Sequence, residues 1–216
     1  MNISNYYWYF QSAVPERICD LIVKYGKQEK KREVTAITGG LGRDRDLNKH
    51  PLTKEELKDL KKKRDSNVMW MNDPWIYKEI HPYIHTANKN ANWNFEWNFT
   101  EPAQFTIYKK DQHYNWHIDP WDAPYNAPRD PHRHGKIRKL SVTLTLSDEK
   151  DYKGGELEFN LGKNIPGKKK NTVIPKDIGD KGTLIVFPSH IPHRVRPVTK
   201  GTRHSLVMWA LGYPFK

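Results

Sequence analysis

The spacing of apolar residues changes period near Asn94. Before that point they recur every three or four residues, and after it they alternate in short runs separated by turn formers. Helical periodicity followed by strand periodicity restricts the chain to helices packed on an antiparallel sheet system. Pro15 suits a first helical turn, Ile18, Leu21, Ile22 and Tyr25 share a face, and Gly26 is placed to close that helix. Thr53 followed by Glu56 forms a capping box for a charged helix through Arg64, whose lysines at 61, 62 and 63 read as a solvated face. Asp73 and Pro74 begin a third helix with Ile76, Ile80, Tyr83, Ile84 and Ala87 inward, which Pro82 should kink or split.

Beyond Asn94, strands are expected over 104–108, 140–146, 156–159, 183–187, 194–198 and 204–211, a spacing that predicts an antiparallel sandwich or barrel. Within 139–146 the leucines and the valine occupy one face, and Ser141, Thr143 and Thr145 the other. That hydroxyl-lined face borders either bulk water or a polar cavity. The aromatic run Tyr6 to Phe10 suits a further strand or an interface. The expected fold class is therefore α+β with a mainly β core, in a single domain over 1–216: a mainly helical buttress over 1–93 and the β core over 94–216.

Composition narrows the setting. One cysteine, Cys19, excludes an intramolecular disulfide and a thiolate zinc cluster; it fits a buried apolar position and a reducing compartment, so the expected location is cytoplasmic. Neither an export signal nor a run of about 18 apolar residues is evident. The formal charge of +12 raises the question of an anionic partner. The excess is scattered, however: +5 over 1–70 (15 basic, 10 acidic), −2 over 71–119 (4 and 6) and +9 over 120–216 (18 and 9). The lysines of 61–63 and 168–170 lie in helix and loop and make a weak case for nucleic acid. By contrast, residues 120–139 (+3) with Arg194, Arg196, Lys200 and Arg203 predict a basic mouth around the site below.

Chemistry concentrates in two segments. His117 and Asp119, two residues apart on extended chain, project from the same side about 6–7 Å apart and can grip one metal ion. The segment from Phe187 to Val195 offers His190 and His193 as a third ligand. Two histidines and a carboxylate hold non-haem Fe(II) on one face, and equally make a His₂Asp zinc site. Arg203 bears on that choice. It stands ten residues after His193 on a strand whose 203, 205, 207 and 209 positions share a face, and a guanidinium aimed into an apolar interior requires an anionic ligand or partner. An iron site with such an arginine suits a dicarboxylate co-substrate.

In order, Gln104 to Tyr108, Tyr114-x-x-His117-x-Asp119, Leu140 to Asp148, Gly154-Gly155-Glu156-Leu157, Phe187-Pro-Ser189, His193-Arg-Val195 and Gly201-x-Arg203-x-Ser-Leu-Val-x-Trp209 resemble the Fe(II)- and 2-oxoglutarate-dependent oxygenases, specifically the prolyl 4-hydroxylase-like branch, over residues 66–213. The resemblance implies a double-stranded β-helix, or jelly roll. It implies His117, Asp119 and His193 as iron ligands, with His193 rather than His190 because Arg-Val follows it. It implies Arg203 on the far carboxylate of 2-oxoglutarate, with Tyr108 and Thr145 facing the same co-substrate. Tyr114, Trp121, Arg194 and Trp209 are expected to face the prime substrate. The implied reaction uses O₂, yields succinate and CO₂, and hydroxylates an unactivated C–H bond. The presence of Asp119 favours hydroxylation over halogenation, and the branch brings ascorbate as a reductant. The expected substrate is a prolyl residue of a peptide or protein. A free amino acid or small metabolite ranks second, a nucleic acid to be demethylated third, and a metal-binding jelly-roll protein without activity is the non-enzymatic alternative. The loop 120–139 leaves the metal-binding strand directly and is expected to act as a lid.

Overall fold

The computed structural model describes residues 3–28, 34–36, 49–162 and 171–215. The lysines at 168–170 lie outside the described residues. Among the described residues three α-helices, α1 (Glu16–Gln28), α2 (Lys54–Lys63) and α3 (Pro74–Asn90), accompany a major sheet of eight strands, a minor sheet of five and a two-stranded ribbon, in which every strand pair is antiparallel. The centre of the major sheet is the Arg203–Gly212 strand, flanked by Ile137–Thr145 on one side and Ala103–Tyr108 on the other. In the minor sheet, His193–Val195 lies between Leu157–Asn160 and His113–His117.

Alternation along the central strands divides the interior in two. Phe105, Leu140, Val142, Leu144, Leu206 and Met208 point to one side and join Ile18, Ile22, Ile76, Ile80 and Ile84 of α1 and α3 in one core. Tyr108, Ile185 and Phe187 point to the other side and meet Leu157, Phe159 and Val195 in a second, smaller core. Ser141, Thr143 and Thr145 are buried on this second side, where Thr143 and Thr145 line cavities and Ser141 bonds Asp119, so the hydroxyl-lined face meets the interior and not bulk water.

Several elements form as expected. The Glu56 N–H donates to Thr53 Oγ1 at 3.2 Å and the Thr53 N–H to Glu56 Oε2 at 2.7 Å, completing the capping box. Cys19 is wholly buried, and burial pushes its thiol up to about 11. The aromatic N-terminal run pairs as a strand, Trp8–Phe10, with Val186 to Leu184.

Four differences have identifiable causes. The first half is not only helical, because Asn67–Met71 pairs with Ala103–Tyr108 inside the major sheet. Gly26 lies within α1 rather than at its end; a Cβ there would stand 2.7 Å from Phe105, so the glycine is required by close packing. Leu21 is 47% exposed, because Cys19 and Gly26 take up the buried face with Ile18 and Ile22. Finally, α3 runs unbroken through Pro82, with Ile76, Ile80, Ile84 and Ala87 buried and Tyr83 half-buried, its hydroxyl donating to the Ala13 carbonyl at 2.8 Å. No helix among the described residues is long and apolar enough to cross a membrane.

Candidate active site

Between the two sheets lies a cavity of about 650 Å³ lined by His117, Asp119 and His193 and by Arg203, Ser205, Val207 and Trp209 along one strand face. Antiparallel register in the minor sheet sets His193 directly opposite His117, with ring centroids 4.2 Å apart. Asp119 follows where that strand ends, and its N–H donates to the Ser189 carbonyl at 3.0 Å, tying it to the turn before His193. The Asp119 carboxylate reaches both rings: Oδ1 is 3.7 Å from His117 Nε2 and Oδ2 is 3.6 Å from His193 Nε2. One ligand atom from each of the three residues lies within 4.8 Å of the others, and His190, exposed on the turn, is outside the group.

The protonation pattern suits a cation. His117 Nδ1 lies 2.8 Å from the Asn115 carbonyl and His193 Nδ1 2.9 Å from the Ile191 carbonyl. A carbonyl can only accept, so each Nδ1 carries a proton and each Nε2 is the ring atom turned toward Asp119. Burial, reinforced by His193, pushes His117 down to about 3, leaving its imidazole neutral at neutral pH. Burial also works against the charge on Asp119. The neighbouring His193 and His117, the Arg138 guanidinium and the Ser141 hydroxyl outweigh it and hold the carboxyl below the usual range. Ser141 Oγ donates to Asp119 Oδ2 at 2.6 Å and sits 2.8 Å from Ser189 Oγ. The imidazoles of His117 and His193 and the Asp119 carboxylate, each fixed by a second partner, are a donor set that fits a divalent first-row metal ion.

Arg203 is 4% exposed, and no carboxylate lies within ion-pair distance of it among the described residues. Its hydrogen bond is from Nη1 to Ser205 Oγ at 3.3 Å, and its guanidinium carbon stands 5.7 Å from the Tyr108 ring. A buried cation with such modest support is costly unless an anion joins it. Tyr108 lines the same cavity. Thr145 does not; its hydroxyl donates to the Ile178 carbonyl at 3.0 Å and it borders a separate chamber beyond Arg203.

Of the residues expected to face the prime substrate, three line the cavity and one does not. Tyr114 stacks on His117 with centroids 3.5 Å apart, and burial raises its phenol to about 12. Trp121 lines the cavity wall, and Trp209 is buried with no hydrogen-bond partner for its Nε1 among the described residues. Arg194 is not in the lining. It pairs with Glu158 at 2.6 Å and lies 4.8 Å over the Trp116 ring. The basic mouth is likewise less open than its count of cations implied, since Arg194, Arg196, Arg133 and Arg138 all have carboxylate partners.

Sequence reasoning passed over part of the wall. Arg64, expected at the end of a solvated helix, is 5% exposed, donates to Ser66 Oγ at 2.9 Å and Gln104 Oε1 at 2.7 Å, and covers the Tyr114 ring. Arg138 bonds Glu101, lies 3.8 Å over the Trp209 ring and reaches the Asp119 carbonyl. Tyr125 donates to Glu101 and accepts from Trp121 Nε1. Through these bonds the loop 120–139 is anchored; only its residues 120–123, with Arg138 at its far end, line the cavity. The one local signal for any of this was the polar face of Ser141, Thr143 and Thr145.

A sequence model of the 2OG-Fe(II) oxygenase superfamily matches residues 103–211. A PKHD-type hydroxylase of Pseudoalteromonas atlantica is 34% identical over 109 residues, covering 50% of this chain and 42% of that protein. A PKHD-type hydroxylase of Synechococcus sp. is 37% identical over 100 residues, covering 46% and 36%. The matched segment thus spans less than half the length of these curated relatives. Among solved structures, a Pseudomonas putida prolyl-4-hydroxylase superposes with a TM-score of 0.64 at 16% identity, covering 97% of this chain and 95% of that one. A viral collagen prolyl hydroxylase from Paramecium Bursaria Chlorella virus-1 gives 0.60 at 18% identity, covering 96% of each. At those identities the likeness is one of fold: the double-stranded β-helix expected from the sequence.

Proposed function

This chain belongs to the 2OG-Fe(II) oxygenase superfamily, and from that premise we propose that it uses Fe(II), 2-oxoglutarate and O₂ to hydroxylate a prolyl residue of a peptide or protein. The observation that carries the reading is the convergence of His117, Asp119 and His193 in one cavity with the buried Arg203, which has no carboxylate partner among the described residues. The prolyl substrate is supported by the PKHD-type hydroxylase and prolyl hydroxylase relatives. Ascorbate enters the proposal as the reductant that maintains Fe(II).

His117, Asp119 and His193 would hold the iron. Bound there, Fe(II) supplies the redox chemistry that couples oxidation of 2-oxoglutarate to succinate and CO₂ with insertion of one oxygen atom into a C–H bond. The remaining work belongs to the chain. The Asn115 and Ile191 carbonyls keep the two Nε2 atoms directed inward, and Ser141 fixes one oxygen of Asp119. Arg203 binds the distal carboxylate of 2-oxoglutarate by a charge-assisted contact that is strong because the residue is buried. Tyr114, Trp121 and Trp209 wall off water on the substrate side and present flat apolar surface, with the Trp209 indole N–H available to a substrate carbonyl.

The test is succinate release by the full chain with Fe(II), ascorbate and 2-oxoglutarate across proline-containing peptides, read together with a peptide mass gain of one oxygen. Peptide-dependent succinate with that gain on proline is the expected result. Succinate coupled to oxidation of a free amino acid or a nucleobase, with none on any peptide, overturns the prolyl reading.

A further inference from the structure

The proposed co-substrate site has a second side. A chamber of about 400 Å³ lies behind Arg203, bounded by the segments 152–157 and 174–179. It shares Thr143, Leu157 and Arg203 with the main cavity, so the two spaces meet at these three side chains. The backbone also comes close to Arg203 here. Gly154 and Gly155 follow one another at φ +74° and +70°, and a Cβ on Gly155 would come within 3.0 Å of Arg203 Cδ, so the backbone passes directly against the arginine stem.

The two outer ends differ in chemistry. At the main mouth stand Trp70 and Trp116, 46% and 39% exposed, with Trp121 beside them. At the chamber rim stand the exposed Lys153 and Lys176, neither in an ion pair among the described residues. Of the two carboxylates on the chamber wall among the described residues, Glu156 faces Arg196 at 3.9 Å and Glu149 lies over Gly179. A polypeptide lying across an aromatic mouth would seal it, whereas a small dianion is drawn to exposed lysines leading to a buried guanidinium.

Resting on the reading of this cavity as a 2-oxoglutarate site, we propose that the chamber behind Arg203 is the passage for small dicarboxylates. By this route 2-oxoglutarate enters and succinate leaves past Lys153 and Lys176, while the polypeptide occupies the aromatic mouth. Arg203 is then reached from both sides, and the anion does not have to cross the peptide.

The chain's one cysteine makes the test direct: Cys19 is wholly buried, so an introduced thiol can be labelled alone. A bulky maleimide is placed on Ile174→Cys at the chamber rim or on Ala123→Cys at the mouth, in the full chain loaded with Fe(II) without oxygen. Association of 2-oxoglutarate is followed by stopped-flow tryptophan fluorescence. The 174 label is expected to slow entry and exit alike by about tenfold or more with affinity retained, and the 123 label to change the rate less than about twofold. Reversing Lys153 and Lys176 together to Glu should lower the association rate by about three- to tenfold, an effect that fades at high salt. Slowing at 123 alone, equal slowing at both positions, or an unchanged rate in the charge-reversed variant overturns the passage. Failure of the unlabelled protein to bind 2-oxoglutarate overturns the underlying reading of the site itself.

Discussion

The two faces of the major sheet use the same strands for opposite purposes. On the helix side Phe105, Leu144, Leu206 and Met208 pack with α1 and α3, and nearly every group there is apolar. On the cavity side Gln104, Ser141, Thr143, Arg203 and Ser205 are just as buried but polar, and their partners leave chosen atoms available: two imidazole Nε2 atoms, a guanidinium and an indole N–H. Pleat alternation alone separates them, so a change at one residue moves stability and a change at its neighbour moves chemistry.

The sharpest way to break this contrast is to remove a ligand. Asp119→Ala or His193→Ala is expected to lower 2-oxoglutarate turnover by about a thousandfold or more, well beyond the tenfold to hundredfold typical of supporting residues, while His190→Ala keeps most of it. Succinate assays measure this, and equal loss from all three variants would dissolve the ligand assignment. On the other face, Phe105→Ala is expected to cost about 3–5 kcal/mol of stability with turnover per folded molecule retained, as read by denaturant titration beside the assay. Between them stands Ser141→Ala, which frees an oxygen of Asp119 and should weaken metal binding by about ten- to hundredfold by calorimetry with little change in unfolding midpoint. Smallest of the set is Leu21→Ala on the exposed side of α1, expected within about 0.5 kcal/mol of the parent.

Acid tests both faces together. Burial holds His117 near 3 on the cavity side and His204 near 4 on the helix side, against an ordinary value of 6.5. The unfolded chain therefore binds more protons than the folded one below 6.5. The metal-free protein keeps this stability above 6.5 and loses it progressively as the pH falls toward 4 for His204 and toward 3 for His117. His117→Ala should flatten that slope in melting curves recorded across the range; an unchanged slope would mean that the ring is not held neutral.

What could be read along the chain follows from distance in sequence. The capping box at Thr53, the inward faces of α3 and the central strands rest on neighbours within a few residues. The proposed ligands were legible because His117-x-Asp119 is a local spacing and the His193 and Arg203 motifs each lie within one strand and its turn. Leu21 and Gly26 were misplaced because helical periodicity cannot tell which of two adjacent stripes meets the sheet; Phe105, far along the chain, decides that by needing room at Gly26. Pro82 sits in α3 without splitting it for a similar reason, since the buried isoleucines on both sides of the proline hold the helix against the sheet.

The sequence by itself determined a helical first part, an alternating second part, a three-residue metal grip and an arginine to face an anion. Only the tertiary structure decided that Arg64 and Trp70 form one wall of the cavity, that Glu101, Tyr125 and Arg138 anchor the loop beside it, and that a second chamber opens behind Arg203. The physical reason is that backbone period and residue spacing are set by local geometry. Burial and partnership of a charged side chain depend on which distant strand the register brings opposite, and no local pattern records that.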